Sequence, residues 1–266
     1  MRINPSLWSL IFWPQLISGL GFLEYRIQNG YVAEVGEFPS IVLLTGDTHR
    51  CTGTLVAPDK ILTAGHCACG DPMTQAYANI TDLDQRDSDT VQLRSIVDAS
   101  YPESYTSACK KLSNGEDEDP IGLGGATDIA ILCTDRPFHL KRGFIELSRL
   151  MLHPTEEERE NLLHGQVTPN SLVLGFGRDP STETTGLLRF GFVNITPCPR
   201  DIQINTTGAL CANENSNSQT PEVGDSGGPV VDQSGHVIGV TSISGYGWVV
   251  FSSVMTNLDF IRNHLM

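Results

Sequence analysis

Gly224-Asp225-Ser226-Gly227-Gly228-Pro229 sets a serine among glycines. A serine hydroxyl is a weak nucleophile. It needs a base to take its proton and N–H donors where negative charge develops. Flanking glycines leave backbone N–H groups uncovered and let a carbonyl carbon approach; a glycine-rich turn with an incidental serine is the plainer alternative. A second segment, Leu62-Thr63-Ala64-Gly65-His66-Cys67, ends an apolar run on a histidine among small residues. Such a histidine can be held against a facing serine, although a lone one is more often structural. In the third, Thr127-Asp128-Ile129-Ala130-Ile131-Leu132, an acidic residue leads an apolar run. Usually such a residue caps a strand. Buried, it can instead accept the Nδ1 proton of His66, fixing the tautomer and stabilising the imidazolium.

The elements that must position these groups are short and β-rich. Runs over 40–45, 54–56, 60–63, 91–97, 129–133, 171–174, 230–231, 237–243 and 248–254 are separated by turn residues. That density predicts a barrel or sandwich. Two helices are expected. Thr155-Glu156-Glu157-Glu158 after Pro154 has the form of a capping box, and Val254, Leu258, Ile261 and Leu265 recur at helical spacing near the C-terminus.

Composition narrows the class. With 266 residues, 39% hydrophobic, 26 glycines and 15 prolines, the chain suits one large all-β domain or two small fused ones. A net charge of −14 gives no basic footprint, so neither nucleic acid nor an anionic membrane is an expected partner. Leu7, Trp8, Leu10, Ile11, Phe12 and Trp13 form an apolar run followed by Leu16, Ile17, Ser18 and Gly19, the layout of a signal peptide over residues 1–19. The run is short for a bilayer span. Seven cysteines suit an oxidising compartment. Three Asn-x-Ser/Thr sequons, at Asn79, Asn194 and Asn205, agree with a secreted glycoprotein. Acidic clusters at 114–119 and at Asp82, Asp84, Asp87 and Asp89 read as solvated loops, with calcium a minority reading.

The three chemistry-bearing segments occur in the order His, Asp, Ser. An α/β-hydrolase would place its histidine after the serine. Over residues 27–266 the sequence resembles the chymotrypsin/trypsin family of serine proteases. The resemblance implies an all-β fold of two six-stranded antiparallel barrels, roughly 27–145 and 146–266, with a C-terminal helix and an active site between them. It implies His66, Asp128 and Ser226 as catalytic residues, with the N–H groups of Gly224 and Ser226 as the oxyanion hole. Arg26-Ile27-Gln28-Asn29-Gly30 is similar to the family's activation site, which makes 20–26 a short propeptide. Cleavage after Arg26 would free an ammonium on Ile27 to pair with Asp225. Ser242 matches the serine that helps hold the aspartate, and Gly175-Phe176-Gly177 resembles the family's Gly-Trp-Gly turn.

The resemblance pairs Cys51 with Cys67 and Cys198 with Cys211, each closing a loop worth roughly 3 kcal/mol on a chain-entropy estimate. Two other family bridges are missing: Ser171 and Asp232 replace one pair, and Glu222 replaces half of the other. Of Cys69, Cys109 and Cys133, at most two can pair internally, with Cys109 bonded to either Cys69 or Cys133 and one thiol left over. Thr220 stands where trypsin-type pockets carry an aspartate. Ser244 and Val249 fall on the pocket walls, which implies a small or medium apolar P1 residue; Glu222 could still attract a basic group near the mouth. Neither metal nor organic cofactor is implied. Expected partners are a protein or peptide substrate, an activating protease that cuts after arginine, and a protein inhibitor. The rival reading is a catalytically silent homologue acting as a binding or regulatory module.

Overall fold

The computed structural model describes residues 27, 30–114, 124–163, 168–178, 186–199, 206–214, 219–245 and 247–265. Six antiparallel strands close the first barrel: β2 (Ile41–Thr45), β3 (Arg50–Ala57), β4 (Lys60–Thr63), β5 (Gln75–Ala78), β6 (Gln92–Ser100) and β7 (Ala130–Thr134), in the order β2-β3-β4-β7-β6-β5. Its interior is filled by Val42, Leu44, Leu55, Ile61, Leu62, Ile129 and Ile131, all essentially without exposed surface. The opposite face of β2 is covered too. Ile41 and Leu43 pack with Leu174, Phe176 and Leu188 of the second half. This double burial explains why Ile41-Val42-Leu43-Leu44 is an unbroken apolar run and not an alternating one.

The second half curls through β9 (Thr168–Gly175), β10 (Arg189–Ile195), β11 (Leu210–Asn213), β12 (Pro229–Val231), β13 (His236–Gly245) and β14 (Trp248–Ser253). These pair antiparallel in the order β10-β9-β12-β13-β14-β11, and a single bridge, Thr196 with Cys211, joins the ends. Two short strands attach outside this ring: β1 (Tyr31–Val32) along β10, and β8 (Arg149–Leu150), which runs parallel to β13. The architecture is the expected pair of barrels, with the second closed by one bridge and the Cys198–Cys211 disulfide in place of a full ladder.

Among the described residues three α-helices flank the barrels: α1 (Thr106–Asn114), α2 (Glu156–Leu163) and α3 (Leu258–Leu265). At α2 the capping box forms as expected. Glu158 accepts from Thr155 N–H at 2.7 Å, and Thr155 Oγ1 accepts from Glu158 N–H at 3.2 Å. The C-terminal helix starts later than its apolar stripe predicts. Val254 is buried in the preceding turn, where Asn257 ties the backbone down by donating to Ser253 C=O and Ala126 C=O at 2.8 and 2.6 Å. Among the described residues no helix is long and apolar enough to cross a membrane.

Candidate active site

Strand register carries His66 and Asp128 to one place. Thr63 pairs with Ala130 across the antiparallel β4–β7 ladder. The residues just after Thr63 and just before Ala130 therefore leave the barrel at the same end. His66 sits in a 3-10 turn over Gly65–Ala68. The Asp128 carboxylate, fully buried, accepts from His66 N–H at 2.8 Å through Oδ1 and meets His66 Nδ1 at 2.8 Å through Oδ2. Ser242 Oγ donates to the same Oδ2 at 2.6 Å. The second barrel also holds the turn before Asp128. Ser242 Oγ accepts Gly125 N–H at 3.1 Å, and Ser252 Oγ donates to Asp128 C=O at 2.7 Å.

Electrostatics follow from this packing. Burial alone would lower the His66 pKa, but the Asp128 charge and its hydrogen bond outweigh it and raise the value above that of a free imidazole. Burial alone would likewise raise Asp128. The imidazole, Ser242 and the His66 N–H pull it below the ordinary carboxylate range. Thus the pair favours imidazolium against carboxylate, the charge distribution needed once a proton has moved onto Nε2. Beside it lies Tyr105, buried, with its hydroxyl lacking a hydrogen-bond partner among the described residues. Burial and the neighbouring Asp128 charge raise its pKa and keep the phenol protonated. Its ring packs so closely on Gly65 that a Cβ there would come within 2.6 Å.

Ser226 is brought to this site through its backbone. Its carbonyl accepts Thr52 N–H at 2.8 Å, and Cys67 Sγ, beside His66, lies 3.8 Å from the same oxygen. Gly227 N–H donates to Thr241 C=O at 2.8 Å. At φ +84 Gly227 lies against Thr63 and Thr52, where a Cβ would fall 2.0 Å from Thr63 Oγ1, so no other residue fits. Among the described residues no hydrogen bond joins Ser226 Oγ to His66. Such contacts are often long in unliganded enzymes. Neighbouring N–H groups of the loop are taken: Asp225 N–H by Glu222 C=O at 2.9 Å and Gly228 N–H by Asp225 C=O at 2.9 Å. Among the described residues the N–H groups of Gly224 and Ser226 donate to no protein acceptor.

Asp225 points away from Ser226 into the protein. Its carboxylate accepts Gly177 N–H at 2.7 Å and Glu222 N–H at 2.8 Å. It fills the space over Gly175 and Gly177, where a Cβ would meet the carboxyl at 2.1 and 2.6 Å; that contact is the physical content of the Gly-Phe-Gly turn. Burial pushes its pKa up to about 6, against the two N–H donors and the buried cation of Arg189, which pull it down. A carboxyl that ionises near 3.8 unfolded and about 6 folded favours the fold fully below pH 3.8. That contribution is lost as pH rises through 6, a loss of roughly 3 kcal/mol in all. Urea unfolding of the intact chain and of Asp225→Asn should therefore diverge by about 2 kcal/mol between pH 4.5 and pH 7, with the native residue losing more stability. Parallel pH profiles would show that Asp225 has a compensating cation throughout.

The remaining predicted residues scatter around this centre. Ile27 is buried in the second barrel's apolar cluster, at φ +48. Thr220 is buried, Ser244 is exposed, and Val249, opposite Ser244 in the β13–β14 ladder, is buried with Phe251 and Ala212. Glu222 is half-buried, and burial together with Glu214 and Asp225 raises its pKa. Cys51 bonds to Cys67 and Cys198 to Cys211. The open choice resolves to Cys69–Cys109, which ties the His66 turn to α1 and leaves Cys133 free. Asp82 of the acidic cluster caps a 3-10 turn by accepting Asp84 N–H at 2.9 Å. Asn79 is half-buried with its amide donating to Thr90 C=O, and Asn194 is exposed. Arg26, Asn205 and residues 115–119 lie outside the described residues. Thr52, Tyr105 and Arg189 escaped the sequence reading, because none lies in a motif.

Residues 27–250 match the family model described as Trypsin. The chain is similar to a cercarial protease of Schistosoma mansoni, 29% identical over 255 residues, or 88% of each protein. It is also similar to the Lectizyme of Glossina austeni, 30% identical over 231 residues, spanning 79% of this chain and 73% of that one. Among solved structures, human heparin binding protein aligns with a TM-score of 0.67 at 21% identity, covering 88% of this chain and 94% of that one. At that identity the likeness concerns the fold.

Proposed function

Since the chain belongs to the trypsin family of serine proteases, we propose that it is a secreted serine endopeptidase with Ser226 as nucleophile, His66 as general base and Asp128 as its orienting carboxylate. One observation carries this reading: the buried Asp128 carboxylate grips both Nδ1 and the backbone N–H of His66, fixing the imidazole with Nε2 free to act. Ser226 Oγ attacks the scissile carbonyl as His66 takes its proton. The oxyanion accepts from the N–H groups of Gly224 and Ser226, neither of which donates to a protein acceptor among the described residues. His66 then protonates the leaving amine, and water releases the acyl group by the same steps.

In this reading residues 1–19 are a signal peptide, 20–26 a propeptide, and 27–266 the peptidase domain, carrying glycans at its sequons. The chain is a zymogen, activated by a protease that cuts after Arg26. The new Ile27 ammonium supplies Asp225 with a cation, which a buried carboxylate requires. Thr220 and the buried Val249 support a pocket for a small or medium apolar P1 side chain. The polyanion in the solved neighbour's name is not carried over, since a net charge of −14 opposes it.

One experiment tests activity, activation and specificity together. The purified chain is cleaved at Arg26 and profiled on a diverse peptide library. Cleavage after Ala, Val or similar residues is expected, and only from material whose N-terminus reads Ile-Gln-Asn-Gly. Strong selectivity for Arg or Lys would refute the pocket. Full activity of Arg26→Gln would refute the zymogen, and an inert processed chain would favour a regulatory homologue.

A further inference from the structure

Thr52, buried in β3, touches both residues that carry the proposed oxyanion donors. Its N–H donates to Ser226 C=O at 2.8 Å. Its hydroxyl accepts Phe176 N–H at 3.0 Å and donates to Gly224 C=O at 3.0 Å. Its own carbonyl accepts Thr63 Oγ1 at 2.8 Å, which fixes the residue in turn.

The hydroxyl completes a ladder between two segments. Phe176, Gly177 and Arg178 present three successive N–H groups to the 222–226 loop. Arg178 N–H donates to Val223 C=O at 2.8 Å, and Gly177 N–H to the Asp225 carboxylate at 2.7 Å. Phe176 N–H reaches the loop only through the Thr52 hydroxyl. Gly224 sits at φ +97 and has no side chain to restrict its torsions. Its N–H shares a peptide plane with Val223 C=O, pinned by Arg178. The following plane, carrying Gly224 C=O, is pinned by Thr52. With both planes held, the Gly224 N–H keeps one direction.

We infer that Thr52 is a positioning residue for the oxyanion hole, its hydroxyl holding the Gly224 peptide so that the N–H faces the developing oxyanion. The role rests on Gly224 and Ser226 being the donors proposed above. Without the hydroxyl, Gly224 C=O and Phe176 N–H lose their partner in a buried site, and the plane carrying Gly224 C=O keeps only the bond from Asp225 N–H to Glu222 C=O.

The test compares wild type, Thr52→Val and Thr52→Ser, all cut at Arg26. Valine keeps the shape and lacks the hydroxyl; serine keeps the hydroxyl and lacks the methyl. For Thr52→Val we expect kcat to fall about 10- to 100-fold, short of the loss of a direct oxyanion donor, with KM changed less than about 3-fold. A peptide aldehyde, bound as a tetrahedral adduct, should weaken by a similar factor, whereas a noncovalent product peptide should not. Thr52→Ser should stay within about 3-fold of wild type. Amide exchange over residues 223–227 should quicken in Thr52→Val alone. If the valine variant does not fold, Thr52→Ala set against Thr52→Ser makes the same comparison. Wild-type kcat in Thr52→Val, or equal damage in Thr52→Ser, overturns the role while leaving the protease reading intact. An inert wild type that resists a fluorophosphonate overturns the protease reading instead, and the exchange data, which need no turnover, then decide whether the hydroxyl holds the loop.

Discussion

Ser226→Ala, processed at Arg26, is expected to lose labelling by a fluorophosphonate probe and to fall about a million-fold in kcat, leaving only the catalysis that binding and the oxyanion donors supply. The fold should survive. Ser226 is tied to β3 through its carbonyl, which accepts Thr52 N–H and which the substitution keeps, and its hydroxyl makes no hydrogen bond among the described residues. Thermal unfolding should therefore shift little. A variant that still labelled at the wild-type rate would remove Ser226 from the mechanism.

Asp128→Asn should cost about ten-thousand-fold in kcat at neutral pH with little change in KM. The geometry dictates why. Oδ1 must accept His66 N–H, so the asparagine oxygen takes that place and the amide nitrogen takes the place of Oδ2. That nitrogen is a donor facing His66 Nδ1, which must then present its lone pair, so the ring proton moves to Nε2. An imidazole protonated at Nε2 cannot accept the serine proton. The acidic limb of the pH profile should move as well. In the native chain Asp128 raises the His66 pKa, so kcat/KM falls as pH drops through a value above that of free imidazole. In the variant this limb should shift to lower pH. An unmoved limb with full activity would show that His66 works without the carboxylate.

The parts of the site legible in the sequence are those written as short continuous strings. Gly224-Asp225-Ser226-Gly227-Gly228 stands out because its glycines, forced by close approaches such as Gly227 against Thr63, fall side by side, so the string itself carries the information. His66 and Asp128 could be matched because each adjoins an apolar strand whose register fixes its exit point. Thr52 could not be read that way. Its partners Phe176 and Gly224 lie 124 and 172 residues along the chain, and a lone threonine in a strand looks like any other. Arg189 reads as a surface residue and is buried because β10 alternates strictly, with 189, 191, 193 and 195 facing in. The choice between Cys69 and Cys133 for Cys109 depended on α1 folding back over the His66 turn, and local spacing does not encode that. The helical stripe through Val254 misled for a related reason. Its periodicity was genuine, but Asn257 spends its amide on the 126 carbonyl and delays the helix.

Ile27 carries a consequence for the activation proposed above. A β-branched residue at φ +48 stores on the order of 1–3 kcal/mol, and that torsion is defined through the carbonyl carbon of residue 26. Hydrolysis of the Arg26–Ile27 bond abolishes the torsion outright, while the isoleucine side chain is already seated among Val173, Val193 and Ile195. Resealing the cut would have to wind the backbone into this disfavoured arrangement again. Under the proposed activation the scission thus behaves as a latch that this strain biases toward the cut state.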